Sequence, residues 1–233
     1  MRRGPPIESN VYGGKAMKRF FDFGSPLMRN LVRIFDCMCL SVLWLVFSIP
    51  VITMGASSAA MYLTVVKYIR KDEGYLWRTF WGAFKENLKR STLAWLVALA
   101  LLALLTVDAL VFRSRAVNGD FLGKLYWVIL VLICVAVTWT AYLSAYCARF
   151  NGSVKDVLRF SFILMTYHPI KSLGVFLPIL VSAALILIAP GLIVAAPAVA
   201  CWIGSVTIEE VFLMHMRPED VERETGADAD TDS

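Results

Sequence analysis

The chain has 233 residues, 58% of them hydrophobic and 18% charged, with a mean hydropathy of +0.66 and a formal net charge of +5. That is far more apolar surface than one soluble core of this length buries, which excludes an ordinary soluble enzyme or binding domain. The cations border hydrophobic stretches instead of forming one basic face, so nucleic acid is not an expected partner.

Several stretches reach the ~20 apolar residues that cross ~30 Å of hydrocarbon as a helix, and the alternation of a transmembrane barrel is missing. The expected class is all-α: a polytopic membrane helix bundle of six transmembrane helices with one or two interfacial helices on the cytoplasmic face. Three parts are expected: a basic cytoplasmic segment over 1–25, one membrane domain over 26–216 and an acidic disordered tail over 217–233. Arg2, Arg3, Lys15, Lys18, Arg19, Arg29 and Arg33 precede any long apolar run. No cleavable signal sequence is therefore expected, and the first helix directs insertion itself.

The first span is expected to start with Ser25 as cap and Pro26 in the first helical position, and to run to Phe47 or Ile49. In the stretch FSIPVITMGASSAAMY that follows, Pro50 cannot extend the amide ladder, and Thr53 and Gly55 suit a tight reversal. Residues 53–70 then form a short apolar stretch that either crosses the membrane or returns on the side it came from. Charge points to a crossing. It places the seven cations before residue 50 and the seven that follow (Lys67, Arg70, Lys71, Arg78, Lys85, Lys89, Arg90) on one side. If 53–70 did not cross, one cluster would be exported, at ~2.3 kcal/mol per charge per 100 mV. The expected corner is thus an outer-face hairpin turn in preference to a re-entrant loop.

Four further spans are expected at 92–112, 125–148, 173–189 and 192–214. Both termini are then cytoplasmic, with 20 of the 23 Lys and Arg inside and Arg113, Arg115 and Lys124 outside. Pro178 and Pro197 are expected to kink the last two spans, and Pro190-Gly191 to turn the chain between them.

Between the second and third spans, Trp77, Phe80, Trp81, Phe84 and Leu88 fall on one helical face, with Arg78, Lys85, Glu86 and Lys89 outside it. Aromatics on one face and cations on another fit a helix lying flat at the headgroups, either as a topological anchor or as a dock for a partner. A comparable piece, 151–172, carries Ser153 and Asp156 at capping-box spacing and His168-Pro169 as a break. Displacement by 81 residues matches Arg78 to Arg159, Trp81 to Phe162, Arg90 to Lys171 and Ser91 to Ser172, a faint sign of two halves. Asn151-Gly-Ser fits a glycosylation pattern only by chance on a cytoplasmic loop.

Ionisable residues inside spans are functional candidates by default. Arg33 with Asp36 and Asp108 with Arg113 are candidate ion pairs, and Glu209 and Glu210 are placed to answer the cationic interfacial helices. Cys37, Cys39, Cys134, Cys147 and Cys201 read as small apolar packing residues. No metal-site spacing, nucleophile with its base or phosphate loop appears, so neither enzyme activity nor a cofactor is expected. The small run Gly55 to Ala60 suits close helix packing, and Thr138, Thr140 and Ser144 suit interhelical bonds.

The run from Phe23 to Leu96 resembles the bacterial YesL-like family of membrane proteins of unknown function. The likeness rests on Phe23-Gly24, Leu43-Trp44 ahead of Ser48-Ile49-Pro50-Val51, Thr53, Gly55, the small residues through Ala60, and the aromatic-rich 80–87. Ser41 stands where the family pattern has an Asn. Members commonly occur beside genes for carbohydrate importers and glycoside hydrolases, so the resemblance implies a role near sugar uptake. The expected function is that of an accessory or regulatory membrane protein whose partners are the lipid bilayer and importer permease subunits. The rival is an autonomous small transporter or channel.

Overall fold

The computed structural model describes residues 26–71, 74–117, 121–150 and 152–215, and all secondary structure among them is helical. The basic segment 1–25 with Ser25, Asn151 and the acidic tail 217–233 lie outside the described residues.

Helix α1, Pro26–Ser48, begins on a residue whose missing N–H costs nothing in the first turn. It stops where Pro50 cannot continue the ladder. The Thr53 hydroxyl, 2.7 Å from the Phe47 carbonyl and 2.9 Å from that of Pro50, satisfies the carbonyls left at that end. One 3-10 turn, Val51–Thr53, leads into α2, Met54–Thr64, which continues as a π-helical stretch, Val65–Arg70. Helix α3, Leu76–Val117, is a single rod of 42 residues, ~63 Å long at 1.5 Å per residue. The sequence predicted a flat interfacial helix and then a separate span from residue 92. No Pro or Gly occurs between Ala83 and Val117, so nothing interrupts the ladder and the two are one helix.

A 3-10 turn, Phe121–Lys124, precedes α4, Leu125–Arg149. Helix α5, Val154–Tyr167, starts as its capping signature predicts: the Asp156 carboxylate accepts the Ser153 N–H at 3.2 Å. Helix α6, Pro169–Ile188, carries Pro178 internally, and a 3-10 turn, Pro190–Val194, joins it to α7, Ala196–His215. Pro197 is the second residue of α7, where an amide has no intrahelical bond to lose, so it does not act as the kink expected of it. Here Ser41 of α1 acts as a cap from outside the helix. Its hydroxyl accepts the Ala198 N–H at 3.1 Å and donates to the Ala195 carbonyl at 3.4 Å.

Five stretches are long and apolar enough to cross a bilayer: Leu31–Ser48, Leu76–Arg115, Leu125–Arg149, Pro169–Ile188 and Ala196–Met214, with mean hydropathies from 1.4 to 2.5. Their outward residues are large and apolar, as in Leu104, Leu110, Trp127, Val131 and Leu187. Such continuous apolar faces suit hydrocarbon and not water. Of the six expected spans, the one absent from that set is α2 with its π-helical end.

Two cores hold the bundle. Cys37 and Leu40 of α1, Ala56 and Ala60 of α2, and Phe80 and Phe84 of α3 form one. Tyr142 and Leu143 of α4, with Val157, Val175 and Phe212, centre the other. The small face of α2 lies against the first half of α3, so closely that a Cβ built on Gly55 would sit 2.4 Å from the Cβ of Trp95.

That approach fixes where the corner lies. Trp95 Nε1 donates to the Val51 carbonyl at 2.9 Å, and Ser91 Oγ donates to the Gly55 carbonyl at 2.8 Å. The Phe47 ring sits 4.9 Å from Phe84 and 5.4 Å from Trp81, centroid to centroid. The Pro50 corner therefore lies at the level of Ser91 and Trp95, near the middle of α3.

Candidate functional site

Three helices converge on one buried carboxylate. Glu209 on α7 is 8% exposed; it accepts the Tyr62 hydroxyl at 2.6 Å and pairs with the Arg149 guanidinium. Tyr62 is the large residue that closes the run of small ones on α2, and Arg149 is the last residue of α4. The guanidinium also lies over the Phe212 ring, 5.9 Å from its centroid. A carboxylate so enclosed is tolerable only with both partners in place. The cluster thus clamps the α1–α2 hairpin to α4 and α7.

A second set of polar contacts flanks it. Arg90 on α3 donates to the Cys147 carbonyl near the end of α4 and, at 2.7 Å, to Asn87 Oδ1. Arg70 reaches the Ser205 carbonyl at 3.4 Å, and Lys171 Nζ pairs with Glu210 at 2.9 Å. Of the two acidic residues of α7, Glu210 meets Lys171 within the second amphipathic piece, 151–172, whereas Glu209 meets Arg149, which ends the membrane-length α4.

The other candidates have surroundings of different kinds. Asp36, one turn after Arg33, accepts the Tyr68 hydroxyl at 3.3 Å. Asp108 and Arg113 are not joined by an ion pair among the described residues. Five residues apart on a helix, their side chains diverge by ~140°. Thr138 and Thr140 turn their hydroxyls onto the carbonyls of their own helix, Cys134 at 2.9 Å and Val137 at 2.7 Å, and not across to another.

The aromatic face of α3 divides in two. Phe80 and Phe84 are buried, and with Trp81 they pack around Phe47, so the greater part of that face is spent inside the molecule. Trp77, 55% exposed and stacked on Trp81 at 6.1 Å, and Leu88, 36% exposed, remain outside. Around them Arg78, Lys85 and Lys89 are exposed, with Lys85 Nζ 4.8 Å from the Trp81 ring.

Tyr62, Arg149 and Ser41 were not picked out by pattern. Tyr62 carries a signal in retrospect, as the one large polar side chain at the end of a small-residue run. Arg149 reads in sequence as a topology marker, and nothing local distinguishes it from Lys155 or Arg159.

These features define a helical membrane protein with an internal ionic clamp and an exposed, cation-bearing face on the first half of α3. Residues 37–109, from the middle of α1 through most of α3, match the model of a family described as protein of unknown function, DUF624. The matched part contains the Pro50 corner and both partners of its contact, Gly55 with Ser91 and Trp95. No curated protein and no solved structure matches the chain.

Proposed function

We propose that the chain is a non-enzymatic accessory protein of the bacterial cell membrane, acting through contact with a partner and not by moving solute. The observation that carries this reading is the exposed face of α3. Its first half is braced by α2, it is continuous with an apolar membrane-length stretch, and it holds Trp77, Arg78, Leu88 and Lys89 outward in a fixed arrangement. A rigid element bearing an aromatic and several cations is suited to engage another protein at the membrane surface. The YesL-like resemblance implies that the partner is a permease subunit of a carbohydrate importer. A conducting role draws less support, because the Glu209 carboxylate is committed to Arg149 and Tyr62 and does not face an open path. Purification of the tagged chain in mild detergent from its own host is expected to recover permease subunits. The double variant Trp77→Ser/Leu88→Ser, which alters only exposed side chains, is expected to lose at least tenfold of that recovery. Repeated isolation of the chain alone would remove the proposal.

The reading also commits to a topology. Contact of Gly55 with Ser91 and Trp95 supports an α1–α2 hairpin that enters from the cytoplasm and returns there, with α3, α4, α6 and α7 crossing fully. This arrangement keeps 20 cations inside and three outside, the same balance as six crossings. The corner itself favours lipid, since Ile49, Val51 and Ile52 are 76%, 53% and 56% exposed and no charge lies among them. In a background without native cysteines, Ile52→Cys is expected to resist a membrane-impermeant maleimide applied outside, while Arg113→Cys reacts. Equal reaction of the two would restore six crossings.

A further inference from the structure

We propose that the space enclosed by α1, α2, α3, α4, α6 and α7 is a binding site for one acyl chain of a membrane phospholipid. This cavity, 360 Å³ in volume, falls within the ~300–1,000 Å³ usual for ligand sites. Its walls are apolar, from Trp44 and Trp95 to Ile179, Ile186 and Ile208.

All but one of the side-chain hydroxyl and indole groups in those walls are already hydrogen-bonded. Trp44 Nε1 donates to Ser58 Oγ at 3.0 Å, Trp95 Nε1 to the Val51 carbonyl at 2.9 Å, and the Tyr62 hydroxyl to Glu209 at 2.6 Å. Thr140 and Ser144 donate to the carbonyls of Val137 at 2.7 Å and Ala141 at 2.8 Å on their own helix. Ser182 is the one lining hydroxyl with no hydrogen bond among the described residues.

Such a lining selects its occupant. A sugar or an ion would give up its hydration with almost nothing to replace it. Water needs two to four polar partners in a buried site, and one hydroxyl does not supply them. Left empty, the lining forfeits the dispersion contacts that close packing would give. An aliphatic chain restores those contacts and has no polar group to strand. The surroundings supply that chain at high concentration, because Ala183 of α6 both lines the cavity and is exposed on the face where Leu180 and Leu187 point outward. A lipid tail reaches the site from hydrocarbon without passing a charge. This inference is independent of the docking reading, and either stands if the other fails.

The test uses the full chain reconstituted in phosphatidylethanolamine and phosphatidylglycerol vesicles. A trace of phosphatidylethanolamine bearing a diazirine midway along one chain serves as the probe. Photolysis is expected to label Ile179, Ser144 or Cys201 on the cavity wall as well as outward residues such as Leu104 and Val131. Thr140→Phe, which fills the cavity from α4, is expected to lower wall labelling at least fivefold and leave Leu104 and Val131 unchanged. Labelling confined to outward residues in the natural chain overturns the proposal, as does undiminished wall labelling in folded Thr140→Phe. If that variant does not fold, the map of the natural chain decides alone. Diazirine palmitate is run in parallel: wall labelling by the free acid but not by the phospholipid also overturns the assignment.

Discussion

Gly55→Ala is expected to lower thermal stability in detergent by about 3 kcal/mol or more, a large effect for one methyl group. The added Cβ would lie 2.4 Å from Trp95 Cβ and 2.8 Å from the Ser91 carbonyl oxygen. Neither atom is the loose end of a side chain, so relief requires α2 and α3 to move apart. That movement would lengthen the bonds from Ser91 to the Gly55 carbonyl and from Trp95 to the Val51 carbonyl, 2.8 and 2.9 Å in the native packing. Gly82→Ala provides the control, because a Cβ there meets nothing within 4 Å. It is expected to be neutral or to stabilise by up to ~1 kcal/mol, as Gly to Ala does within a helix. Equal unfolding midpoints for the Gly55→Ala and Gly82→Ala proteins would mean that α2 and α3 do not meet as described.

Loss of the Glu209 carboxylate is expected to be comparably severe. Glu209→Ala leaves the Arg149 guanidinium and the Tyr62 hydroxyl without their shared acceptor, and breaking one side of a buried pair costs ~3–5 kcal/mol. Tyr62→Phe removes one bond but leaves the ion pair, so a change of ~1 kcal/mol is expected. The double replacement Arg149→Met/Glu209→Met strands no charge and is expected to unfold much closer to the natural chain than Glu209→Ala does. Denaturation of the four proteins in one detergent gives the comparison. If Glu209→Ala fell within ~0.5 kcal/mol of the natural chain, the value of an undisturbed surface change, the carboxylate would not be an internal clamp.

Parts of this architecture are legible from residue types alone. Pro50 ends α1, Thr53 closes the corner, Ser153 and Asp156 start α5, and Pro190-Gly191 turn the chain, because each acts through its own backbone or through a neighbour a few residues away; Gly55, expected at the reversal, lies inside α2 and serves its packing on α3 instead. Local rules reach such features. The same rules misplace the boundary at residue 92, where a shift from amphipathic to wholly apolar composition was read as a break. A helix needs a missing N–H or a competing cap to stop, and the stretch from Ala83 to Val117 has neither Pro nor Gly. Composition changed there, while the ladder ran on.

The ionic clamp illustrates the opposite case. Tyr62, Arg149 and Glu209 lie 60 or more residues apart in pairs with Glu209, and no periodicity links them. Ser41 likewise gains its role only because the start of α7 arrives beside it, bringing an amide in need of an acceptor. Of the aromatic face on α3, the pattern identified the residues but not their direction. Phe80 and Phe84 turn inward because Phe47 occupies that side.

By itself the sequence determined that this is a helical membrane protein and which stretches are apolar enough to cross. Those properties are sums over residues, independent of what any residue touches. Only the tertiary structure decided what the first hairpin packs against, since counting charges distinguishes an odd number of crossings from an even one but says nothing of which helices meet. The position of the Pro50 corner along α3 is a distance between chain segments, given by the meeting of Gly55 with Ser91 and Trp95.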